Sequence, residues 1–271
     1  KEFSGPLGFL SSRSIIFGGP LIDNDDPEVL SAVLKRYNNV IRKKAVYSQI
    51  RNQWQIERNQ RSAFESNEFN YDHHLNFLVD LKQSEEELWK RVNSKRRNEI
   101  RRSIREGVEF NVEKSIESLD QSFEILTEVY KYAKIPLASK SFFKALKKNC
   151  SESSGMVLFS ARYNGKIIGC LIALRFGKTL YDLYAGSYRE FYKKYPNDLI
   201  PWKIFLWGKE NGYDCFDFGG AGHPEKPYGV RDYKKKFGGD LVNFGRFTKI
   251  HQPAIYKLSL FGFRLWQKIK N

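Results

Sequence analysis

The sequence predicts a mixed α/β fold, on three observations. Short apolar or alternating stretches are bounded by Gly, Pro and Asn, the punctuation of β-strands. Longer stretches carry apolar residues every three or four positions, as on the buried face of a helix. Helices come before an Asn164-Gly165 hairpin signal, and strand, helix, strand follow it, an order that suits a sheet with both hairpin and crossover connections.

Residues 14–17 form the first expected strand, closed by Gly18-Gly19-Pro20. Asp25-Asp26-Pro27-Glu28 starts a helix with a capping Asp, Pro at the first helical position and an acid in the first turn. Leu30, Val33, Leu34, Tyr37, Val40 and Ile41 continue it at helical spacing. Residues 45–50 read as a strand, 55–72 as a polar loop and 74–81 as an alternating strand. Ser84-Glu85-Glu86-Glu87 caps a helix whose apolar stripe is Leu88, Val92, Ile100 and Ile104. Strand-like residues 108–112 follow, then helices over 119–133 and 141–148. Strands are expected over 157–163, 166–176 and 179–185. Pro201 opens a helix with Ile204, Phe205 and Trp207, closed by Asn211-Gly212. The final strands are 213–218, ending on Gly219-Gly220, and 241–250. A domain boundary is expected near residue 82, where a strand gives way to a charged helix.

Composition narrows the function. Of 271 residues, 41% are hydrophobic, which excludes wholesale disorder. Cys150, Cys170 and Cys215 have no CxxC spacing, so a disulfide scaffold is excluded, and a reducing, cytoplasmic setting is expected. No apolar run approaches a membrane span, and no signal peptide is evident at the start. The chain begins at Lys1 rather than Met. Lys and Arg number 46 against 31 Asp and Glu, a formal charge of +15 that favours a polyanionic partner: nucleic acid, an acidic membrane or a phosphorylated substrate.

The densest positive segment is Lys90, Arg91, Lys95, Arg96, Arg97, Arg101, Arg102 and Arg105, with Glu99 among them. Arg97, Arg101 and Arg105 share a helix face that can hold phosphates, or else be a solvated face. A second run, Arg231 and Lys234-Lys235-Lys236, lies among Tyr228, Tyr233 and Phe237 with glycines at both ends. It reads either as a cation placed to meet an anionic transition state or as a basic turn. Tyr181, Tyr184, Ser187 and Tyr188 at a strand end read as a pocket wall or as aromatic packing. No GxGxxG, GxxxxGK[ST] or GxSxG occurs, and His73-His74 neighbours suit no single metal on a strand. No metal site is expected, and no general base stands out.

At the C-terminus, Ile255, Leu258, Phe261, Leu265 and Ile269 recur at helical spacing with Lys257, Arg264, Lys268 and Lys270, flanked by Phe263 and Trp266. This helix suits either an anionic membrane surface or packing that completes the core of the first domain.

The ordered segments resemble the FemAB/FemX-like aminoacyltransferases and their acetyltransferase-like relatives. They are Gly18-Gly19-Pro20-Leu21, Val79-Asp80-Leu81 with Ser84 to Trp89, the run from Lys95 to Val108, Tyr184-Ala185-Gly186-Ser187, Pro201-Trp202, Gly212 to Gly220, and Tyr233-Lys234 with Phe237-Gly238-Gly239. The resemblance covers most of residues 18–240. It implies tandem acetyltransferase-like (GNAT) domains: residues 1–82, incomplete at the N-terminus, and 83–250, with a basic amphipathic helix over 251–271. It implies transfer of an activated acyl or aminoacyl group from aminoacyl-tRNA or an acyl-CoA thioester, with no permanently bound cofactor, to an amine on a phosphorylated cell-envelope precursor such as a peptidoglycan peptide. Lys234 is the implied catalytic residue and Tyr184 belongs to the implied acceptor site. Ser187, Tyr181, Tyr233, Arg97 and Arg101 complete the expected substrate-binding set, with tRNA and peripheral membrane contact as further partners.

Departures from the pattern bear on donor and acceptor. Arg51-Asn52-Gln53-Trp54 stands where relatives acting on lipid-linked muropeptide carry Asp-Pro. The (Gln/Arg)-x-x-Gly-x-(Gly/Ala) loop of acetyl-CoA enzymes is replaced by residues 187–197. The long helical-hairpin arm of some relatives is absent, because strand-like residues follow Gly107 directly. The competing reading is a non-catalytic acyltransferase fold that binds RNA or anionic lipid through its basic face.

Overall fold

The structure is a computed structural model describing residues 6–151 and 154–269. In chain order its elements are β1 (Arg13–Phe17), α1 (Pro27–Ile41), β2 (Tyr47–Arg51), α2 (Arg58–Ser66), β3 (Asn70–Asp72), β4 (Leu75–Asp80), α3 (Glu85–Arg91), α4 (Ser94–Arg105), β5 (Glu109–Glu113), α5 (Ile116–Ala133) and α6 (Lys140–Lys148). Then come β6 (Ser154–Tyr163), β7 (Lys166–Phe176), β8 (Thr179–Ser187), α7 (Pro196–Glu210), β9 (Cys215–Gly220), α8 (Gly229–Lys235), β10 (Asp240–Asn243), β11 (Arg246–Ile250) and α9 (Pro253–Ile269).

Contacts divide the chain into two compact units. One takes the chain as far as Leu75, Gly222–Lys226 and the segment from Asn243 on; the other takes Asn76–Ala221 and Pro227–Val242. Strand pairing explains why this division departs from a boundary at residue 82. β4 pairs antiparallel with β9 and so belongs with the second sheet. β11 lies antiparallel between β2 and β3 in the first. The expected single strand over 241–250 is therefore two strands in different sheets.

The first unit has the sheet order β1-β2-β11-β3. α1 connects the parallel strands β1 and β2, and Asp26 accepts hydrogen bonds from the backbone N–H groups of Glu28 and Val29 at its start. The segment expected to be a polar loop holds α2 and β3. Leu30, Leu34, Ile50, Ala63, Phe64, Phe69 and Phe247 make the core, with the Phe64 and Phe247 rings stacked 3.9 Å apart.

The second unit has the order β10-β4-β9-β8-β7-β6-β5. β5 to β8 are antiparallel neighbours, whereas β8 and β9 run parallel through α7, so the sheet is mixed as expected. Asn164 and Gly165 both have positive φ, 49° and 76°, and close the β6–β7 hairpin. α5 and α6 cover one face around Leu119, Ile125, Leu126, Phe143, Cys170 and Ile172. α7 covers the other, where Phe205 meets Phe216 and Phe218. The helix expected from Ser84 onward is two helices. Ser84 and Glu87 form a reciprocal capping box on α3, and Asn93 caps α4 afresh after extended Val92.

Candidate acyl-transfer site at the β8–β9 splay

β8 and β9 are paired from Thr179↔Cys215 to Tyr181↔Asp217, and there the parallel pairing stops. Beyond this point the strands part, leaving backbone groups that need other partners. Lys234 fills this gap. Its ammonium donates to the carbonyl oxygen of Phe218 and, at 2.9 Å, to that of Gly220. Only 8% of Lys234 is exposed. Burial lowers its pKa, while the charges of Asp182 and Asp217 act to raise it. An ammonium has three N–H groups. Two are taken by β9, which leaves one for the splay.

The two carboxylates act on this ammonium through space, from opposite faces of the sheet. Ala173 pairs with Asp182 and Ile172 with Tyr184, so Leu183 is an extra residue in β8, a β-bulge. The bulge sends Asp182 and Ala185 to the α7 face, and Leu183 and Tyr184 to the α5/α6 face. Desolvation pushes the Asp182 pKa up to about 6, against the opposing pull of Lys234. Asp217, 4% exposed, accepts from the Gly219 N–H at 2.7 Å and from Asn76 at 3.3 Å, and burial raises its pKa too.

Lys234 is held here by Tyr233 and a proline. Pro201 lies inside α7, where it has no N–H to offer the carbonyl of Asn197. The Tyr233 hydroxyl donates to that carbonyl instead. The half-buried phenol has its pKa raised well above the ordinary value, mainly by desolvation. α8 is thereby tied to α7 one residue before the lysine. Phe237 packs against Tyr233, Phe205 and Phe218. Gly238 then turns with φ of +80°, where an added Cβ would lie 2.6 Å from the carbonyl oxygen of Arg91. The Tyr-Lys and Phe-Gly-Gly residues are thus one device that docks a short helix and aims its lysine.

A cavity of about 30 Å³ lies in the splay, lined by residues including Asp182, Ala185, Asn197, Pro201, Phe218 and Tyr233. That is room for about one or two waters. Ser187, 1% exposed, faces the same side, and its hydroxyl has no partner among the described residues.

The sheet divides the residues expected to bind substrate. Ser187, Tyr233 and Lys234 share the α7 side. Tyr181 and Tyr184 do not join them: Tyr181 pairs with Leu174 on the α5/α6 face, and the Tyr184 ring packs 5.4 Å from Tyr130 and 5.0 Å from Phe143. The bulge at Leu183 thus separates Tyr184, implied by the resemblance to belong to the acceptor site, from Lys234.

The Arg-rich helix is also largely committed internally. Arg97 donates to the carbonyls of Trp89 and Lys90 at 3.1 and 3.2 Å, closing the C-terminal end of α3. The Arg101 guanidinium lies 5.2 Å from the Trp89 ring centre, and Arg102 pairs with Glu106 at 2.6 Å. Arg96 is the arginine that reaches the site. It pairs with Asp198 of α7 and with Glu99 at 3.0 Å, and lies 5.3 Å from the Tyr233 ring centre. Burial still pushes Asp198 up to about 6. Sequence reasoning names Arg96 only as part of the basic run and does not name Asp182, and both carry a signal of their place at the site. Arg96 is four residues before Ile100 and so lies on the buried stripe of α4. Asp182 is a charged residue in the middle of an interior strand, where acids are rare.

The family model for the acetyltransferase (GNAT) domain matches residues 94–235, just over half of the chain. This chain belongs to that family. The parting of parallel β8 and β9 is where the GNAT domain here gathers its buried charges. The UDP-N-acetylmuramoylpentapeptide-lysine N(6)-alanyltransferase of Weissella viridescens is 25% identical over 167 residues, 60% of this chain and 48% of that protein. The chain therefore spans about half the length of this curated relative. The crystal structure of FemX covers 90% of this chain and is covered over 82% of its own, with TM-score 0.69 and 15% identity. A tandem GNAT protein from the clavulanic acid biosynthesis pathway covers 81%, over 69% of its own chain, with TM-score 0.55 and 8% identity. The fold is FemX-like, a mixed α/β fold of the tandem GNAT type.

Proposed function

We propose that the protein is an aminoacyl or acyl transferase that moves an activated acyl group onto an amine of a phosphorylated cell-envelope precursor, in a cytoplasmic setting. The observation that carries this reading is the buried Lys234 ammonium in the β8–β9 splay of a GNAT domain, with the Asp182 carboxylate acting on it electrostatically. The alanyltransferase relative, whose name gives a muropeptide lysine as acceptor, supports the substrate class.

In the proposed reaction the acceptor amine attacks the acyl carbonyl, forming a C–N bond and a tetrahedral oxyanion. The remaining N–H of Lys234 stabilises that oxyanion. Asp182, ionised above about pH 6, takes the proton from the attacking amine. Collapse breaks the C–O bond of an aminoacyl ester or the C–S bond of a thioester, and the leaving oxygen or sulfur takes up the proton. At about 30 Å³ the cavity has room for water and not for an acyl chain, so the strands part further or the acyl group meets Lys234 at the mouth. Ser187 offers a hydroxyl to the bound donor.

The start of α7 favours an aminoacyl ester over a CoA thioester. A helix N-terminus can receive a pyrophosphate through free N–H groups. Here Pro196 removes one of them, Tyr195 rather than Gly holds the left-handed position before it, and the Asp198 carboxylate already sits in the first turn with Arg96. The test is donor consumption, with charged tRNA in one arm and acyl-CoAs in the other. The expected result is deacylation of charged tRNA that Lys234→Ala abolishes. Binding of RNA with no donor consumed in either arm would favour the non-catalytic reading instead.

A further inference from the structure

α9 shows two different faces. On one, the Tyr256 ring meets Tyr47 edge-on, 5.4 Å between centres, and the Ser259 hydroxyl bonds to the carbonyls of Leu10 at 2.6 Å and Ile255 at 2.8 Å. Ile255, Tyr256 and Ser259 are half-buried there. On the other, Leu258 is 56% exposed, Phe261 61% and Leu265 42%. These positions, three and seven residues on from Leu258, form one stripe. The apolar series read from the sequence is thus divided: Ile255 turns inward, Leu258, Phe261 and Leu265 turn outward, and the Ile269 side chain lies outside the described residues. The expectation that the whole stripe completes the core does not hold for the outward three.

Charge selects what this outward stripe meets. In the sequence Lys257, Arg264 and Lys268 follow at helical spacing beside it, the last two with side chains outside the described residues, and no Asp or Glu follows Asp240 in the chain. An apolar face bordered by cations and free of acids fits acyl chains beneath anionic headgroups. An isolated exposed Leu needs no explanation, but three large side chains in register on one helix do. No helix among the described residues is long and apolar enough to cross a membrane, so the contact is one of lying on the surface. We infer that α9 docks the protein flat on an anionic bilayer, with Leu258, Phe261 and Leu265 entering the interface and the basic flank holding the headgroups.

This inference stands apart from the proposed reaction, and its test uses no donor or acceptor. The intact protein is sedimented with phosphatidylcholine vesicles, with and without about one-third phosphatidylglycerol. At least tenfold stronger partitioning onto the anionic vesicles is expected, weakening as salt is raised. The triple variant Leu258→Ser, Phe261→Ser, Leu265→Ser changes exposed positions only. It is expected to melt at the wild-type temperature and to lose partitioning at least tenfold at every salt concentration. Equal binding by the triple variant, or no binding by the wild type, overturns the inference. So does a wild-type dimer in lipid-free solution that the triple variant dissociates, because the stripe would then meet a second copy.

Discussion

Helices α4 and α8 are both dense in Lys and Arg, and they dispose of that charge in opposite ways. On α4 the charge is distributed. Arg97 closes α3, Arg102 pairs with Glu106, Arg101 lies over Trp89, and only Arg96 is turned into the protein. On α8 the charge is concentrated: Lys235 and, just past the helix end, Lys236 are exposed, while Lys234 is buried, donates to two backbone carbonyls and feels the charges of Asp182 and Asp217. A solvated ion pair contributes little, because water already serves both partners. A buried cation is costly unless fully paired, so it persists where the surroundings are built around it. The shorter and less charged segment is therefore the better candidate for chemistry.

The largest expected effect comes from removing the buried cation. Lys234→Ala leaves the Phe218 and Gly220 carbonyls without their donor and Asp182 and Asp217 without the buried positive charge that acts on them, a loss of about 3–5 kcal/mol. Urea unfolding checks the magnitude. Lys234→Met, which keeps the packing of the stem without the charge, separates the two roles. A folded Lys234→Met protein with full transferase activity would reduce Lys234 to a strut for β9.

Asp182 gives the next effect, and its sign is set by its raised pKa. Folded Asp182 holds its proton up to about pH 6, against an ordinary value of 3.8. Its contribution to stability is thus greatest at low pH and declines as pH rises through that window. Activity runs the other way if Asp182 accepts the amine proton. The rate is expected to climb about tenfold per pH unit below 6 and then level off. Asp182→Asn should flatten this limb and lower the rate about 10²–10⁴-fold. A pH profile unchanged by the substitution would move the base elsewhere.

How much of this was legible in the sequence follows from how local each feature is. The β6–β7 hairpin, the Asp26 and Ser84 caps and the Tyr-Lys and Phe-Gly-Gly segments are written in neighbouring residues, and each is where it was read. α2 is hidden because Gln60, Ala63 and Phe64 are its only inward residues, and just two of them are apolar in an otherwise polar stretch. The break between α3 and α4 carries neither Gly nor Pro; Asn93 starts a new helix after Val92, and a continuous apolar stripe masks it. The bulge at Leu183 has no sequence mark either, and it alone decides that Tyr184 and Asp182 face opposite sides. Pairing between distant strands sets such features, and no window of sequence contains both partners.

Tyr233→Phe sharpens the comparison by acting on the anchor rather than the charge. The ring stays and the Asn197 carbonyl, already deprived of an N–H by Pro201, loses its donor. The expected cost is about 1–3 kcal/mol for a buried carbonyl left unpaired. If Lys234 depends on this anchor, the transfer rate falls further than the stability loss explains, and restoring the N–H with Pro201→Ala recovers part of it. Recovery of stability without any recovery of rate would make Tyr233 a packing residue only.

The smallest effects are expected on α4. Arg101→Ala removes a cation from the Trp89 ring at an exposed position, worth about 0.5–1 kcal/mol. Arg97→Ala frees two α3 carbonyls to water, at a cost of about 1 kcal/mol. Neither should alter the rate with a short donor. Donor length is what distinguishes the two readings of this helix. If α4 tracks the phosphates of a charged tRNA, reversing Arg101 and Arg105 to Glu weakens tRNA use several-fold and flattens its salt dependence, leaving a minimal aminoacyl ester unaffected. If both donors respond alike, or neither responds, the charge of α4 serves the fold and its solubility, and the contrast with α8 is complete.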